Sequence, residues 1–349
     1  MNGVRKGYVR PLDLRHGAVD MTHGSGGRAM AQLIEELFAK YLGNDFLGQR
    51  NDGAVMPMPP GRLVISTDGH VVSPLFFPGG DIGCLSINGT INDVAVLGAT
   101  PLYLAAGFIL EEGLPLADLA RIVESMACAA RAAGVPVVTG DTKVVQKGAG
   151  DGVYITTTGV GVVADGEDFS GDRARPGDQI IVSGSIGEHG MAIMAQREGL
   201  GFAAPIVSDT AALHGLIAAM RASGAAIRTL RDPTRGGVAT TLNEIARQSG
   251  VGMMLQEGAL PVQAEVAAAC EFLGLDPLYV ANEGKLLAIV APEDAHALLA
   301  AMRAHPLGQR AALIGSVHVD AHHFVQMTTG FGGRRIVDWL TGEQLPRIC

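Results

Sequence analysis

The chain has 349 residues, 48% hydrophobic and 17% charged, which is enough for two ordinary domains with real cores. A net charge of -9 without a basic stripe argues against a nucleic-acid binder, and no run approaches the roughly eighteen apolar residues of a membrane span. Cys84, Cys128, Cys270 and Cys349 lie far apart with no CxxC pair, and Met1 to Arg15 carries charges throughout, so a soluble cytoplasmic protein with reduced thiols is expected.

In chain order, an arm leads to the glycine-rich turn His23-Gly24-Ser25-Gly26-Gly27, after which Met30, Leu33, Ile34, Leu37 and Phe38 recur at helical spacing up to Gly43. Strands and helices then alternate. Arg62 to Thr67 is β-rich, Leu85 to Leu97 reads as a helix stopped by Gly98, and Leu102 to Leu110 as a strand. Pro115 opens a helix to Arg131, with Gly134 as its stop. Val135 to Thr139 reads as a strand delivering Gly140-Asp141-Thr142-Lys143, and Val153 to Val163 as another. The charged, Gly- and Pro-bearing residues 165–178 mark a domain boundary. A second α/β unit begins at Gln179 to Ser183, with helices near 209–222 and 237–249 and strands near 285–291 and 311–319. The expected division is an arm, loop and helix over 1–44, a first domain over 45–165, a second over 178–329, and a loose glycine-bearing tail over 330–349.

Acidic residues stand where strands or loops are expected to end: Asp52, Asp68, Asp93, Asp141 and Asp232. Mg2+ prefers carboxylate, water and phosphate oxygens, so spaced aspartates suit Mg-phosphate, although aspartate is also a common turn residue. Asn88 and Asn92, four apart, share a helix face beside Asp93; a buried polar network and a phosphate or metal contact are both open readings. Two glycine-rich turns, His23 to Gly27 and Arg235-Gly236-Gly237, precede helices whose free N–H groups suit phosphate. There is no Walker sequence and no Rossmann glycine fingerprint. Lys143 and Glu283 follow strand-like or turn segments where site residues concentrate, although composition alone favours a surface ion pair, and His318, His322 and His323 read as exposed histidines. The chain closes on Cys349, a thiol at the end of a tail able to travel to a distant site.

Nine segments together resemble the HypE family, the carbamoyl dehydratases of [NiFe]-hydrogenase maturation. They are His23 to Gly27, Ser66 to Asp68, Pro74 to Gly80, Asn92 to Ala95, Phe108 to Pro115, Gly140 to Val145, Asp232 to Gly237, Asn282 to Lys285 and Pro346 to Cys349. The likeness runs from about residue 20 to the end. The closing Pro-Arg-Ile-Cys and the Gly140 to Gly148 run are specific to that family. The glycine turn and spaced aspartates are shared with aminoimidazole ribonucleotide synthetase, selenophosphate synthetase and thiamine-phosphate kinase. His23 to Gly27 lacks the neighbouring reactive residue and lysine of selenophosphate synthetase. The arm before the turn is longer than in the family pattern, and Asp52 lies in a stretch that varies within it.

The resemblance implies an α/β (α+β) fold of two domains, aminoimidazole ribonucleotide synthetase-like, whose N-terminal domains pair into a β-barrel in a homodimer. It implies ATP and Mg2+ in a cleft between the domains, with the tail reaching in. His23, Gly24, Ser25, Gly26, Gly27, Asp68, Asn92, Asp93, Gly140, Asp141, Thr142, Arg235, Gly236 and Gly237 would bind ATP, and Asp52, Asp68, Asp93, Asp141 and Asp232 the metal. Cys349 would carry a carbamoyl group from a HypF-type carbamoyltransferase, with Glu283 as base and Lys143 stabilising charge on oxygen. The resulting cyano group would pass to a HypC-HypD complex, with no nucleic-acid or membrane partner. The alternatives are another ATP-using enzyme of the superfamily, such as a small-molecule kinase or amide-activating synthetase, or a non-catalytic metal chaperone using the three histidines and Cys349.

Overall fold

The computed structural model describes residues 11–199, 205–342, 345 and 347–349. The first ten residues of the arm and Pro346 of the closing motif lie outside the described residues. Past the 3₁₀ turn Met21–Gly24, the helical stretch expected after the glycine turn is one run: α1 (Arg28–Leu33), a π turn (Ile34–Phe38) and α2 (Ala39–Leu42), closed at Gly43.

Runs rich in Val, Ile and Thr form a four-stranded sheet: β1 (Arg62–His70), β4 (Thr100–Glu111), β5 (Val137–Val145) and β6 (Val153–Val163). Its order is β1-β6-β4-β5, with only β4 and β5 parallel, so β1 and β5 are open edges of a sheet that does not close on itself. A short ladder, β2 (Phe76–Phe77) with β3 (Gly80–Asp81), leads into α3 (Ile82–Val96). That helix begins three residues before the expected Leu85. The carboxylate of Asp81 accepts the free Gly83 and Cys84 N–H groups at 2.7 and 3.1 Å and sets the start there. The crossover helix α4 (Leu116–Ala133) ends at left-handed Gly134, φ 69°, as expected. Strand alternation puts Leu104, Phe108, Leu110, Val153 and Ile155 under the helices.

The second domain holds a seven-stranded sheet of order β13-β12-β9-β11-β7-β10-β8. These strands are β7 (Gln179–Val182), β8 (Ile227–Arg231), β9 (Gly252–Gln256), β10 (Leu287–Val290), β11 (Ala312–His318), β12 (Val325–Thr328) and β13 (Arg334–Ile336). Five helices join them: α5 (Glu188–Arg197), α6 (His214–Ala222), α7 (Gly237–Ser249), α8 (Ala264–Leu273) and α9 (Ala295–Ala304). The central strands are buried on both faces: Leu287 and Ile289 pack toward Leu242 and Ile245, and Ala288 and Val290 toward Leu216 and Leu298. Continuous apolar runs follow from that, and their lack of alternation makes such short strands hard to separate from buried helix in sequence.

Two expectations change. The stretch expected to be loose from Gly330 on instead forms β13 on β12, and buried Val337 donates its N–H to Val325 O at 2.8 Å. Asp141 does not follow a strand end. Gly140 to Lys143 lie inside β5, because parallel β4 continues to Glu111 and offers partners that far. Asp68 and Asp93 likewise sit within β1 and α3, while Asp232 directly follows β8.

Gly140 pairs with Ala106, whose carbonyl a side-chain carbon at this position would strike. Gly140→Ala should therefore cost about 1–3 kcal/mol in a guanidinium denaturation series, as overpacking does.

Candidate active site

α3 lies between the two sheets, and its polar positions meet side chains from both domains. Asp68 occupies the row of Thr157, Ala106 and Gly140, on the sheet face that packs on α3. Asp93 accepts from Ser66 Oγ at 2.7 Å, and its pKa is raised, first by burial and then by the Asp68 charge. Asp232 is raised by burial and then by Asp93 and Asp68, with Arg231 pulling the other way. Carboxylates from two domains thus crowd one another, a conflict that a divalent cation or a proton relieves. Gly89 leaves the space among them: a methyl there would stand 3.4 Å from His70 Cε1 and 3.8 Å from Asp68 Oδ2 and Glu283 Oε2. His70 is buried and stays neutral, its pKa pushed down to about 4 by burial and then by Arg235.

Glu283 is 5% exposed, and its Oε1 has no hydrogen-bond partner. Burial first, then Asp209, Asp232, Asp68 and Asp93, raise its pKa well above the ordinary glutamate value. Its loop is held from several sides. Glu283 N and Gly284 N each donate to Asp209 at 3.2 Å, and Lys285 Nζ lies 3.0 Å from Asp209 and 3.1 Å from Glu188. Asn282 Oδ1 accepts from Gly187 N at 2.8 Å, and Asn282 Nδ2 donates to Pro233 O at 2.9 Å. Gly284 admits no side chain, since any would strike Asp209 O. Arg235 and left-handed Gly236 precede α7, which opens on left-handed Gly237, and no side chain caps that helix start, which leaves N–H groups of its first turn for an anion.

The tail ends in this site. Ile348 bridges to Val72, Val71 N donates to Cys349 O at 3.0 Å, and Ser73 N donates to Arg347 O at 3.1 Å. His189 Nε2 lies 2.6 Å from Ile348 O, and Arg197 Nη2 donates to Arg347 O at 3.0 Å. Arg347 pairs with Asp151 at 3.1 Å. Burial, and after it the Glu283 charge, push the Cys349 thiol far up, and Arg235 offsets them only in part. Seated, the thiol keeps its proton and is a poor nucleophile.

The other expected residues fall elsewhere. Asp141 and Lys143 pair with each other at 2.7 Å on the far edge strand, three strand spacings or about 14 Å from β1. They also alternate onto the face opposite Asp68. Asp52, Gly140, Asp141 and Thr142 line a separate cavity of about 800 Å³ between β5 and the α1–α2 run. His23 Nδ1 accepts from Asp20 N at 3.0 Å, and Gly24 packs on Val144, so the turn with exposed Ser25, Gly26 and Gly27 lies along β5 too. Asn92 holds protein rather than nucleotide: it is 1% exposed, donates to Ala211 O and Glu283 O, and accepts from Leu213 N at 2.7 Å. Asn88 meets Thr210 Oγ1 at 3.2 Å. The five aspartates therefore do not converge. Among the described residues no three His, Cys, Asp or Glu side chains are placed to hold a metal ion, His318, His322 and His323 included.

Sequence reasoning missed His70, His189, Asp209 and Lys285. His70 stood two residues past Asp68 and Lys285 two past Glu283, a usable signal; nothing near His189 or Asp209 marked them.

Two family models match: AIR synthase related protein, N-terminal domain, over residues 50–163, and its C-terminal domain over 175–328. Carbamoyl dehydratase HypE of Azotobacter vinelandii is 71% identical over 338 residues, 97% of this chain and 99% of that one. The crystal structure of hydrogenase maturation protein HypE in complex with ATP is 52% identical with a TM-score of 0.91, covering 94% of this chain and 99% of that one. A HypE-HypF complex structure is 48% identical with a TM-score of 0.78, covering 88% of this chain and 99% of that one.

Removing Lys285 strands two carboxylates in the interior. Lys285→Met should cost about 3–5 kcal/mol in chemical denaturation at neutral pH. Burial alone would raise Asp209, but Lys285, His189 and the Glu283 N–H hold it below the usual carboxylate range. The stabilisation from its charge is full above the unfolded pKa and fades as pH falls through the folded one. The deficit of the variant should accordingly narrow in acid.

Proposed function

The chain belongs to the HypE family, carbamoyl dehydratases of hydrogenase maturation built from AIR synthase related domains, and from that premise we propose how its own residues run the reaction. A HypF-type partner, as in the complex of a relative, places a carbamoyl group on the Cys349 sulfur. The suppressed thiol acidity at the seat supports transfer with the tail out, followed by docking. The γ-phosphate of ATP moves to the carbamoyl oxygen and ADP leaves. Loss of both nitrogen protons and of phosphate then leaves S–C≡N on Cys349.

The observation that carries this reading is Glu283: buried, its Oε1 unpartnered, its pKa raised, and its charge acting on Cys349. A raised carboxylate is a better base, and Glu283 takes protons from the carbamoyl nitrogen. Arg235 supplies a guanidinium, and Gly236 with the first turn of α7 beyond Gly237 supplies N–H groups, for nucleotide phosphates; the Gly237 N–H itself closes the turn on Thr234 O at 2.9 Å. The crowded Asp68, Asp93 and Asp232 fit a Mg2+ shared with phosphate oxygens better than an all-protein cage, consistent with the absence of a three-ligand group among the described residues. Asp68, Asp93 and Asp232 would hold Mg2+ there, and it would supply charge neutralisation to the phosphates.

Asp141, Lys143 and the His23 to Gly27 turn cannot reach this point within one chain. We assign them to the site of a second copy. The sheet face beyond the helices leaves Leu63 and Ile65 exposed on the open edge strand β1, which suits closure of a barrel against a partner subunit. The cyano group then goes to a HypC-HypD complex. The four free thiols suit a reducing cytoplasm, and among the described residues no helix is long and apolar enough to cross a membrane.

With a carbamoyl-transferase partner, carbamoyl phosphate and Mg-ATP, the C-terminal peptide should gain a carbamoyl mass that loses one water only with ATP. Glu283→Gln should keep the carbamoyl adduct and slow the water loss about 10²–10⁴-fold; normal turnover would remove Glu283 from the role. For the shared site, mixing inactive Lys143→Ala with inactive Glu283→Gln should restore about a quarter of wild-type turnover, since half the dimers are mixed and each has one intact site. No recovery on mixing would put Lys143 back in its own subunit's site.

A further inference from the structure

One face of α5 carries two side chains that touch no reacting atom yet hold the tail. His189 is fully buried, its ring edge-on to Phe77 with centroids 5.5 Å apart. A carbonyl oxygen only accepts, so the 2.6 Å contact with Ile348 O puts the ring proton on Nε2. Nδ1 is then the acceptor, and Ser208 Oγ donates to it from 2.7 Å while accepting from Thr210 N at 3.2 Å. Two turns along the helix, Arg197 donates to Ser73 O through Nε and Nη2 at 3.1 and 2.6 Å, and to Arg347 O at 3.0 Å.

Successive tail carbonyls are thus read from one side by α5, and from the other the backbone of residues 71–73 pairs with the tail as an added strand. Ile348 supplies the buried side chain, at 4% exposure. When the tail leaves, as carbamoylation requires, the His189 Nε2–H and part of the Arg197 fork lose their acceptors. A buried donor without an acceptor is costly, so the fully buried His189 favours the seated state, and Arg197 adds a more exposed contact.

We propose that α5 is the receptor for the C-terminal tail. His189 and Arg197 are positioning residues that read the Ile348 and Arg347 carbonyls and bring the Cys349 sulfur to Glu283. Ser208 ties this seat to Asp209, its neighbour in sequence, which holds the Glu283 loop. The proposal rests on the reading that Cys349 carries the chemistry, but the seat can be tested without it.

The test is the alkylation rate of each cysteine by iodoacetamide in the full-length protein, read by peptide mass without ATP or partner. His189→Phe keeps the ring but removes donor and acceptor, and Cys349 should react about tenfold faster, the effect of losing one good hydrogen bond. Cys84 and Cys270 should stay protected, and His189→Gln, whose amide N–H can reach the same carbonyl, should restore protection. Arg197→Met should deprotect Cys349 in the same way and decides the matter if His189→Phe also exposes Cys84 and Cys270. In single-turnover dehydration of the carbamoylated protein, His189→Phe should be slow and His189→Gln restored, with ATP affinity unchanged. Wild-type protection of Cys349 in both His189→Phe and Arg197→Met, with Cys84 and Cys270 still shielded, would overturn the proposal. If the alkylation contrast holds but wild-type protein forms no S-cyano adduct on Cys349, the seat stands and the reaction assignment falls.

Discussion

A charged carboxylate in the interior, Asp209, organises the site. Burial disfavours its charge, and Lys285 with the N–H groups of Glu283 and Gly284 restores it, with His189 packed beside them. Each of those partners does something further. Two backbone donors hold Glu283 where its own carboxyl is desolvated, and Lys285 ties in Glu188 at the start of α5. The imidazole of His189 faces the tail. Asp209 keeps its charge close to Glu283 and, after burial, is the largest influence raising the Glu283 pKa, and an ionised carboxylate with a raised pKa is a stronger base.

The same electrostatics orders the chemistry in time. Burial first, and then Glu283 and Asp68, suppress ionisation of Cys349 at the seat, whereas the neutral carbamoyl group proposed for it would meet no such penalty. Acquiring the group and dehydrating it therefore call for different environments, and a mobile C-terminal residue can visit both. Main-chain contacts suit such a tail, because a strand-like backbone docks without any demand on the modified side chain.

The open sheet imposes the other constraint. Period-two alternation assigns Asp68 and Asp141 to opposite faces, and the strand order assigns them to opposite edges. No side-chain rearrangement within one chain brings them together. A second copy that closes the sheet is the simplest arrangement in which both serve one nucleotide.

The motifs at His23 to Gly27, Asp232 to Gly237 and Asn282 to Lys285 were legible in the chain, as were two domains, the main strands of the first and the closing Cys349, because short-range spacing, turn chemistry and family motifs are written locally. Sequence by itself determined which chemical groups are present and which family they belong to. It could not foresee that the side chain of Asn92 is taken up by Ala211, Leu213 and Glu283 across the domain boundary. It could not separate Asp141 and Lys143 from the Asp68 cluster, nor see that His189 meets a carbonyl 159 positions away. Those outcomes depend on strand order, register and desolvation, which arise only when distant segments pack and exclude water. The tertiary structure decided which carboxylates crowd, which of them have raised pKa values, and where the last residue rests.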